Sequence, residues 1–319
     1  MSGVEISYVV IGRNEEKRLQ RCLRAILDQG RTATREVLYV DSRSTDRSVE
    51  IARSLPGVEV LVVGDEQPNA AKGRNLGWRR ARGELVQFVD GDAVLTPDWE
   101  DRGAAAMRDP QVGAVYGWYV EEHPERSLFN RFADLDWPRQ DGEVETFGGI
   151  VMVRRRCLEE TGGFPEAALS GEEPVLALAM RRRGYRFLQL PVLMAHHDID
   201  THDFATYWRR CVATGLSLAE QAAIAPQGAA ARKIRKNAAG LLALAGLVVL
   251  GFVLGPWVWA AGAALLILDL LRIAINNRAR AGSFGAALAY AGHVRFLTLP
   301  QTIGYLRWRR RRRAAPATD

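Results

Sequence analysis

Short apolar, β-branched runs at 6–11, 36–40, 58–63 and 85–89 alternate with segments of helical character at 15–27, 46–54 and 70–82. Alternation of this kind predicts βαβ units and a parallel sheet covered by helices. In such sheets ligands sit beyond the carboxyl ends of the strands. That rule singles out three polar clusters, each directly after a strand-like run: Gly12-Arg13-Asn14-Glu15, Asp41-Ser42-Arg43-Ser44 and Asp90-Gly91-Asp92. After Pro97 the order is less regular, with a helix expected over 99–107 and strands over 114–120, 150–153 and 185–190. A further helix is expected over 173–183. The stretch 128–140 is rich in Phe, Trp, Asp and Arg, and aromatics so placed are expected to pack rather than to line an acceptor site.

Beyond residue 237 the pattern changes. Two apolar stretches, 238–254 and 257–275, carry almost no charge until Asp269 and Arg272 and are separated by Gly255-Pro256. One straight helix of that total length would overrun a bilayer core, which takes about 20 residues. A transmembrane helical hairpin is therefore expected, with a re-entrant pair as the alternative. The mixed segment 284–306 is expected to be a helix at the membrane interface, followed by a basic tail over 307–319. The expected division is a catalytic domain over 1–225 and a membrane region over 226–319.

The formal charge of +6 does not alter this picture once it is located. Much of the excess flanks the apolar stretches: Arg232, Lys233, Arg235, Lys236, Arg278, Arg280 and the run from Arg309 to Arg313. Cations in those positions mark the cytoplasmic side of a membrane and its anionic headgroups, and no nucleic-acid partner is expected. Cys22, Cys157 and Cys211 form no Cys-x-x-Cys pair, which argues against a disulfide framework and a zinc site. The chain enters strand-like sequence almost at once without a stretch of signal-peptide length. The expected location is the inner (cytoplasmic) membrane, with the catalytic part facing the cytoplasm.

Asp90-Gly91-Asp92 brings two carboxylates to a turn at the end of a buried strand, and hard divalent cations such as Mg²⁺ or Mn²⁺ take such oxygens together with phosphate oxygens. Alone, the tripeptide is also ordinary turn chemistry. Its company is what matters. From Val9 to Glu16, from Val40 to Asp46, at Gly73-Arg74-Asn75-Leu76-Gly77, at Val89-Asp90-Gly91-Asp92, at Gly148-Gly149 with Gly162-Gly163-Phe164, and at Gly171-Glu172-Glu173, the sequence resembles family 2 inverting glycosyltransferases of the GT-A, nucleotide-diphospho-sugar transferase fold. The resemblance spans roughly residues 5–215 and implies an α/β fold with a Rossmann-like mixed sheet flanked by helices.

It further implies that Asp41 contacts the nucleobase with Asn14 and Glu15 lining the same pocket, that Arg74 approaches the base or diphosphate, and that Asp90 faces the ribose or a metal-bound water while Asp92 ligates Mg²⁺ or Mn²⁺. His197, rather than its neighbour His196, is the further metal ligand implied. Glu173 takes the position of the catalytic base, with Glu172 beside it, one methylene longer than the family's usual Asp. Tyr207-Trp208-Arg209-Arg210 resembles an element that binds donor diphosphate, with Arg210 as the contact; it lacks the Gln-x-x-Arg-Trp order of processive synthases. The implied activity is that of a metal-dependent hexosyltransferase: transfer of one sugar from a nucleotide-sugar donor, most naturally a UDP-sugar, with inversion. The acceptor is expected to be lipid-linked or membrane-proximal, in exopolysaccharide, envelope glycan or glycolipid biosynthesis. A nucleotidyltransferase would need a Gly-rich, Lys-bearing phosphate loop after the first strand, which Gly12-Arg13-Asn14-Glu15 does not supply. A non-catalytic scaffold with a degenerate fold is the other alternative.

Overall fold

The computed structural model describes residues 5–29, 34–167 and 171–314; the last five positions of the expected basic tail lie outside the described residues. The chain forms two compact units. One runs to Pro124 and resumes from Trp137 to Asp200, and the other takes Glu125–Asp136 and the chain after Asp200. Compactness thus divides the chain at 200/201, whereas the expected boundary at 225/226 follows the change to membrane-like composition.

The first unit opens with β1 (Ile6–Gly12), α1 (Leu19–Leu27), β2 (Arg35–Asp41), α2 (Ser48–Arg53), β3 (Val58–Val62), α3 (Ala70–Arg80) and β4 (Leu85–Asp90). β5 (Ala93–Leu95), α4 (Trp99–Ala106) and β6 (Val112–Glu121) follow. The chain then leaves for α5 (Leu128–Asp136) in the second unit. It returns through β7 (Gly142–Val144), β8 (Val151–Arg154), α6 (Arg155–Thr161), α7 (Glu172–Arg181) and β9 (Arg186–His197). Among the described residues, nine strands make one mixed sheet in the order β3-β2-β1-β4-β8-β6-β9-β5, with β7 also on β9. β3, β2, β1 and β4 are mutually parallel, as expected, and β8 is antiparallel to both of its neighbours. Central strands covered on both faces must be apolar throughout, and Tyr8, Val9, Val10, Leu38, Tyr39, Val40, Phe88 and Val89 are all buried.

The register aligns the strand ends. Gly12 pairs with Asp41 and Ile11 with Asp90, so the loops after β1, β2 and β4 open along one edge. α1 begins at Leu19, later than the pattern predicted, because the chain first turns through Asn14 at φ 60. It then buries Leu19, Cys22, Leu23 and Ile26 on one face. α3 is capped by Asn69, whose side chain accepts from Lys72 N at 2.9 Å. It approaches β1 closely at Gly77, where a Cβ would fall 2.2 Å from Val9 Cγ1. The strand expected over 185–190 instead continues to His197. Pro191 is tolerated because the pairing of β6 with β9 is irregular there, jumping from Gln189 to Leu193 while β6 advances from Tyr116 to Trp118.

The second unit contains α5, α8 (Phe204–Ile224), α9 (Ala229–Leu254), α10 (Trp257–Ala281), α11 (Phe284–Phe296) and α12 (Thr298–Ala314). The single interfacial helix expected over 284–306 is two helices, which part at Leu297. Only 11% of the most apolar stretch of α9, and likewise of α10, is buried within the protein. That exposure separates them from core helices of a soluble fold, and both are long and apolar enough to cross a membrane. They pack as a hairpin: Trp259 Nε1 donates to Val248 O at 3.2 Å, and a Cβ at Gly251 would collide with the Trp259 indole. α5 is held by α11, where Asp136 accepts from Tyr290 Oη at 2.8 Å and lies 2.8 Å from His293 Nε2, and Phe132 stacks on His293. All three cysteines are buried and free.

Candidate functional site

The loops after β1, β2 and β4 surround a cleft of about 310 Å³. Its lining includes Gly12, Arg13, Glu15, Ser42, Asn69, Asp90, Asp92 and His197. Gly91 packs tightly on its strand neighbour: its N–H donates to Ile11 O at 2.8 Å, and a Cβ would fall 3.2 Å from that carbonyl oxygen. A larger recess of about 420 Å³ lies elsewhere in this unit beside Arg82, Arg154, Arg155 and Arg156. Its arginines are engaged by Glu36, by backbone carbonyls, by Glu159 and by Glu160 respectively, whereas the smaller cleft is where two aspartates and a histidine converge.

Asp90, Asp92 and His197 each offer one ligand atom, all within 4.8 Å of one another. The last comes from the far end of β9, brought alongside because Ala93 of β5 pairs with His197. His197 Nε2 lies 3.0 Å from Asp92 Oδ1, and its buried Nδ1 has no hydrogen-bond partner among the described residues. Trp137 stacks on the imidazole at 5.3 Å. Burial lowers the His197 pKa but the facing Asp92 carboxylate outweighs it, so the net movement is upward. Burial likewise raises Asp92, and His197 and then Arg18 bring it below the usual carboxylate range. Two carboxylates and an imidazole whose donor atoms lie within 4.8 Å of one another fit a divalent cation.

The other residues singled out by the sequence fall into place unevenly. Glu15 lines the cleft and pairs with Arg18 at 2.9 Å. Burial and then the Asp92 charge push its carboxyl up to about 7. Asn14 braces the loop after β2, accepting from Thr45 N at 2.8 Å. Asp41 is buried and accepts from Tyr39 Oη at 2.9 Å, Ser44 N at 2.8 Å and Ser44 Oγ at 2.6 Å. It therefore shapes that loop, and Ser42 is the residue of the pair that lines the cleft. Arg74 is buried among Asp90, Glu172 and Glu173. Arg210 is exposed on α8, in the second unit.

Glu172 and Glu173 open α7 after Gly171, whose φ of 80 suits glycine. Glu172 is the more tightly bound, 2.7 Å from Arg74 Nη1. Burial pushes Glu173 up to about 7, against the pull of Arg74. Arg18 and Trp137 were not signalled by the sequence. Arg18 lies three positions from Glu15 but also 3.8 Å from Asp198, and Trp137 sits in a segment read as packing.

The profile of Glycosyl transferase family 2 matches residues 7–210, nearly two thirds of the chain. The chain is 27% identical over 176 residues to glycosyltransferase AglE of Haloferax volcanii, covering 52% of this chain and 58% of that protein. It is 29% identical over 218 residues to an N-acetylglucosaminyltransferase of Mesorhizobium japonicum, covering 60% and 50%. The chain thus spans about half the length of the curated relatives it matches. Among solved structures, the mannosyltransferase PcManGT of Pyrobaculum calidifontis, in complex with GDP-Man and Mn²⁺, superposes with a TM-score of 0.66 at 21% identity, covering 93% of this chain and 88% of that one. TarS of S. aureus in complex with UDP-GlcNAc gives 0.52 at 19% identity, covering 67% and 66%. These likenesses agree with the mixed sheet and its flanking helices.

Proposed function

The chain belongs to glycosyl transferase family 2, and on that premise we propose that it transfers one sugar from a nucleotide-sugar donor to a lipid-linked or membrane-proximal acceptor, with inversion at the anomeric carbon. The observation that carries this reading is the cluster of Asp90, Asp92 and His197 in a cleft bordered by Glu15 and Ser42. A cation held by these three residues would supply positive charge against the donor diphosphate and its departing form. Glu173 is the base: its carboxylate takes the proton of the acceptor hydroxyl as that oxygen attacks the anomeric carbon, and the bond to the diphosphate oxygen breaks with its electron pair leaving on the nucleoside diphosphate. Its pKa near 7 suits that exchange at neutral pH. Arg13 lines the cleft with donors suited to phosphate oxygens.

The acceptor class rests on a different feature. α9 and α10 supply a membrane hairpin, and Arg232, Lys233, Arg235 and Lys236 precede its first apolar stretch while Arg278 and Arg280 follow its second. That flank supports a location of the catalytic unit at the cytoplasmic face of the inner membrane. A UDP-sugar is the first donor to try, and neighbours of this fold hold UDP-GlcNAc or GDP-Man. Transfer of radiolabelled sugar by membranes carrying the protein tests the reading: label should enter the organic-extractable lipid fraction, and label recovered only in water-soluble product would refute a lipid-linked acceptor.

A further inference from the structure

Asp90 and Glu173 stand on different elements, at the end of β4 and in the first turn of α7, and one side chain reaches both. Arg74 of α3 is 3% exposed and is not part of the cleft lining. Its Nη2 lies 3.1 Å from Asp90 Oδ1, and its Nη1 lies 2.7 Å from Glu172 Oε1 and 3.3 Å from Glu173 Oε1. The Phe164 ring is 5.6 Å from the guanidinium carbon. At Gly149 the backbone comes so close that a Cβ would fall 2.3 Å from Arg74 Nη2, 3.1 Å from Asp90 Oδ2 and 3.3 Å from Glu173 Oε1. A guanidinium is a rigid planar fork that is always charged. It can bond carboxylates in two directions at once, which a lysine ammonium cannot do in the same geometry.

We propose that Arg74 is a positioning residue that fixes the base Glu173 relative to Asp90, with Glu172 as its anchor, and that position 149 is glycine because a side chain there would displace the guanidinium. This rests on the reading of Glu173 as the base. It separates the two adjacent acids: Glu172 holds Arg74, and Glu173 is left to meet the acceptor. It also moves Arg74 away from the donor. The charged and titratable groups facing Glu173 are Arg74 from α3, Glu172 on its own helix, Asp90 from β4 and Tyr119 from β6.

The test is steady-state kinetics of the full chain in detergent, with whichever nucleotide sugar the parent turns over, from pH 5 to 9. Arg74→Gln should lower kcat about 100-fold through misplacement of the base, leave the donor KM within about threefold, and move the acid limb of kcat upward by about one pH unit. Glu172→Gln removes a like charge and should move that limb downward. Gly149→Ala should reproduce the kcat loss at unchanged KM, and should cost less in the Arg74→Gln background than alone. A fraction of unfolded protein would scale kcat but could not move the limb. A raised donor KM with an unmoved limb would make Arg74 a donor contact and overturn the proposal, as would limbs moving in the same direction in both charge variants. If Arg74→Gln shows no cooperative melting, Glu172→Gln and Gly149→Ala decide. Glu173→Gln is run alongside: if it keeps the parent rate, the reading of the base has failed, whereas an inactive Glu173→Gln beside an unaffected Arg74→Gln and Gly149→Ala defeats the positioning role alone.

Discussion

Asp92 meets His197 at 3.0 Å in a largely buried setting, and Asp90 completes a three-residue donor set. Asp92→Asn keeps the shape but removes the charge that a cation needs. We expect transfer to fall at least about 100-fold, in line with the several kcal/mol a metal contributes to leaving-group stabilisation, and the thermal midpoint to fall as well, since buried His197 loses the charge of its partner. A variant that keeps the parent rate after chelation would remove the metal from the account. Glu173 makes a second prediction with a definite sign. Its folded pKa, about 7, lies above its ordinary 4.5, so the folded protein binds the proton more tightly than the unfolded chain. Stability from this group is therefore present below about pH 4.5 and is lost as pH rises toward 7. Glu173→Gln should be inactive, yet its melting temperature should fall less than the parent's between pH 5 and 7.5. An equal fall in both would contradict the burial of that carboxyl. At this scale the sequence was readable where a motif is local, as at Asp90-Gly91-Asp92 and Glu172-Glu173. It was not readable where partners lie far apart: Arg74 meets Glu172 across 98 positions, and no helical pattern announces that encounter.

Elements were legible through their periodicity, and their limits were not. The four leading parallel strands fall where apolar runs predicted them, because strands covered on both faces must be apolar throughout. β9 outran its prediction since Pro191 reads as a stop, and only the irregular pairing with β6 shows that it is harmless. That extension carries His197 to Asp92, so the same irregularity serves the site. Gly77 marks the tightest contact between α3 and β1, with the added Cβ 2.2 Å from Val9 Cγ1. Gly77→Ala trades better helix propensity for overpacking, and the clash should win: we expect destabilisation of about 1–3 kcal/mol, read as a lower thermal midpoint. A raised midpoint would show that the two elements can separate without loss.

For the molecule as a whole, composition located the membrane-like region but not the compact unit that contains it. Residues 125–136 interrupt the catalytic unit, and Phe132 and Leu135 of α5 belong to the apolar cluster of Tyr207, Tyr290 and Ala291. Nothing local in α5 names those partners, which lie on α8 and α11. Deleting residues 226–319 at the composition boundary would strip α11 from this cluster. The truncated chain should aggregate or melt well below the parent; a monodisperse product with the parent's melting temperature would show that α5 does not need those helices. The central claim concerns the cleft, and calorimetric titration of the full chain with UDP, GDP and dTDP tests it most directly. The account predicts that at least one of these nucleotides binds with Mn²⁺ present, binds far more weakly in EDTA, and shows no Mn²⁺ dependence in Asp92→Asn. Binding that is indifferent to Mn²⁺ in the parent, or no binding of any of the three, would contradict it.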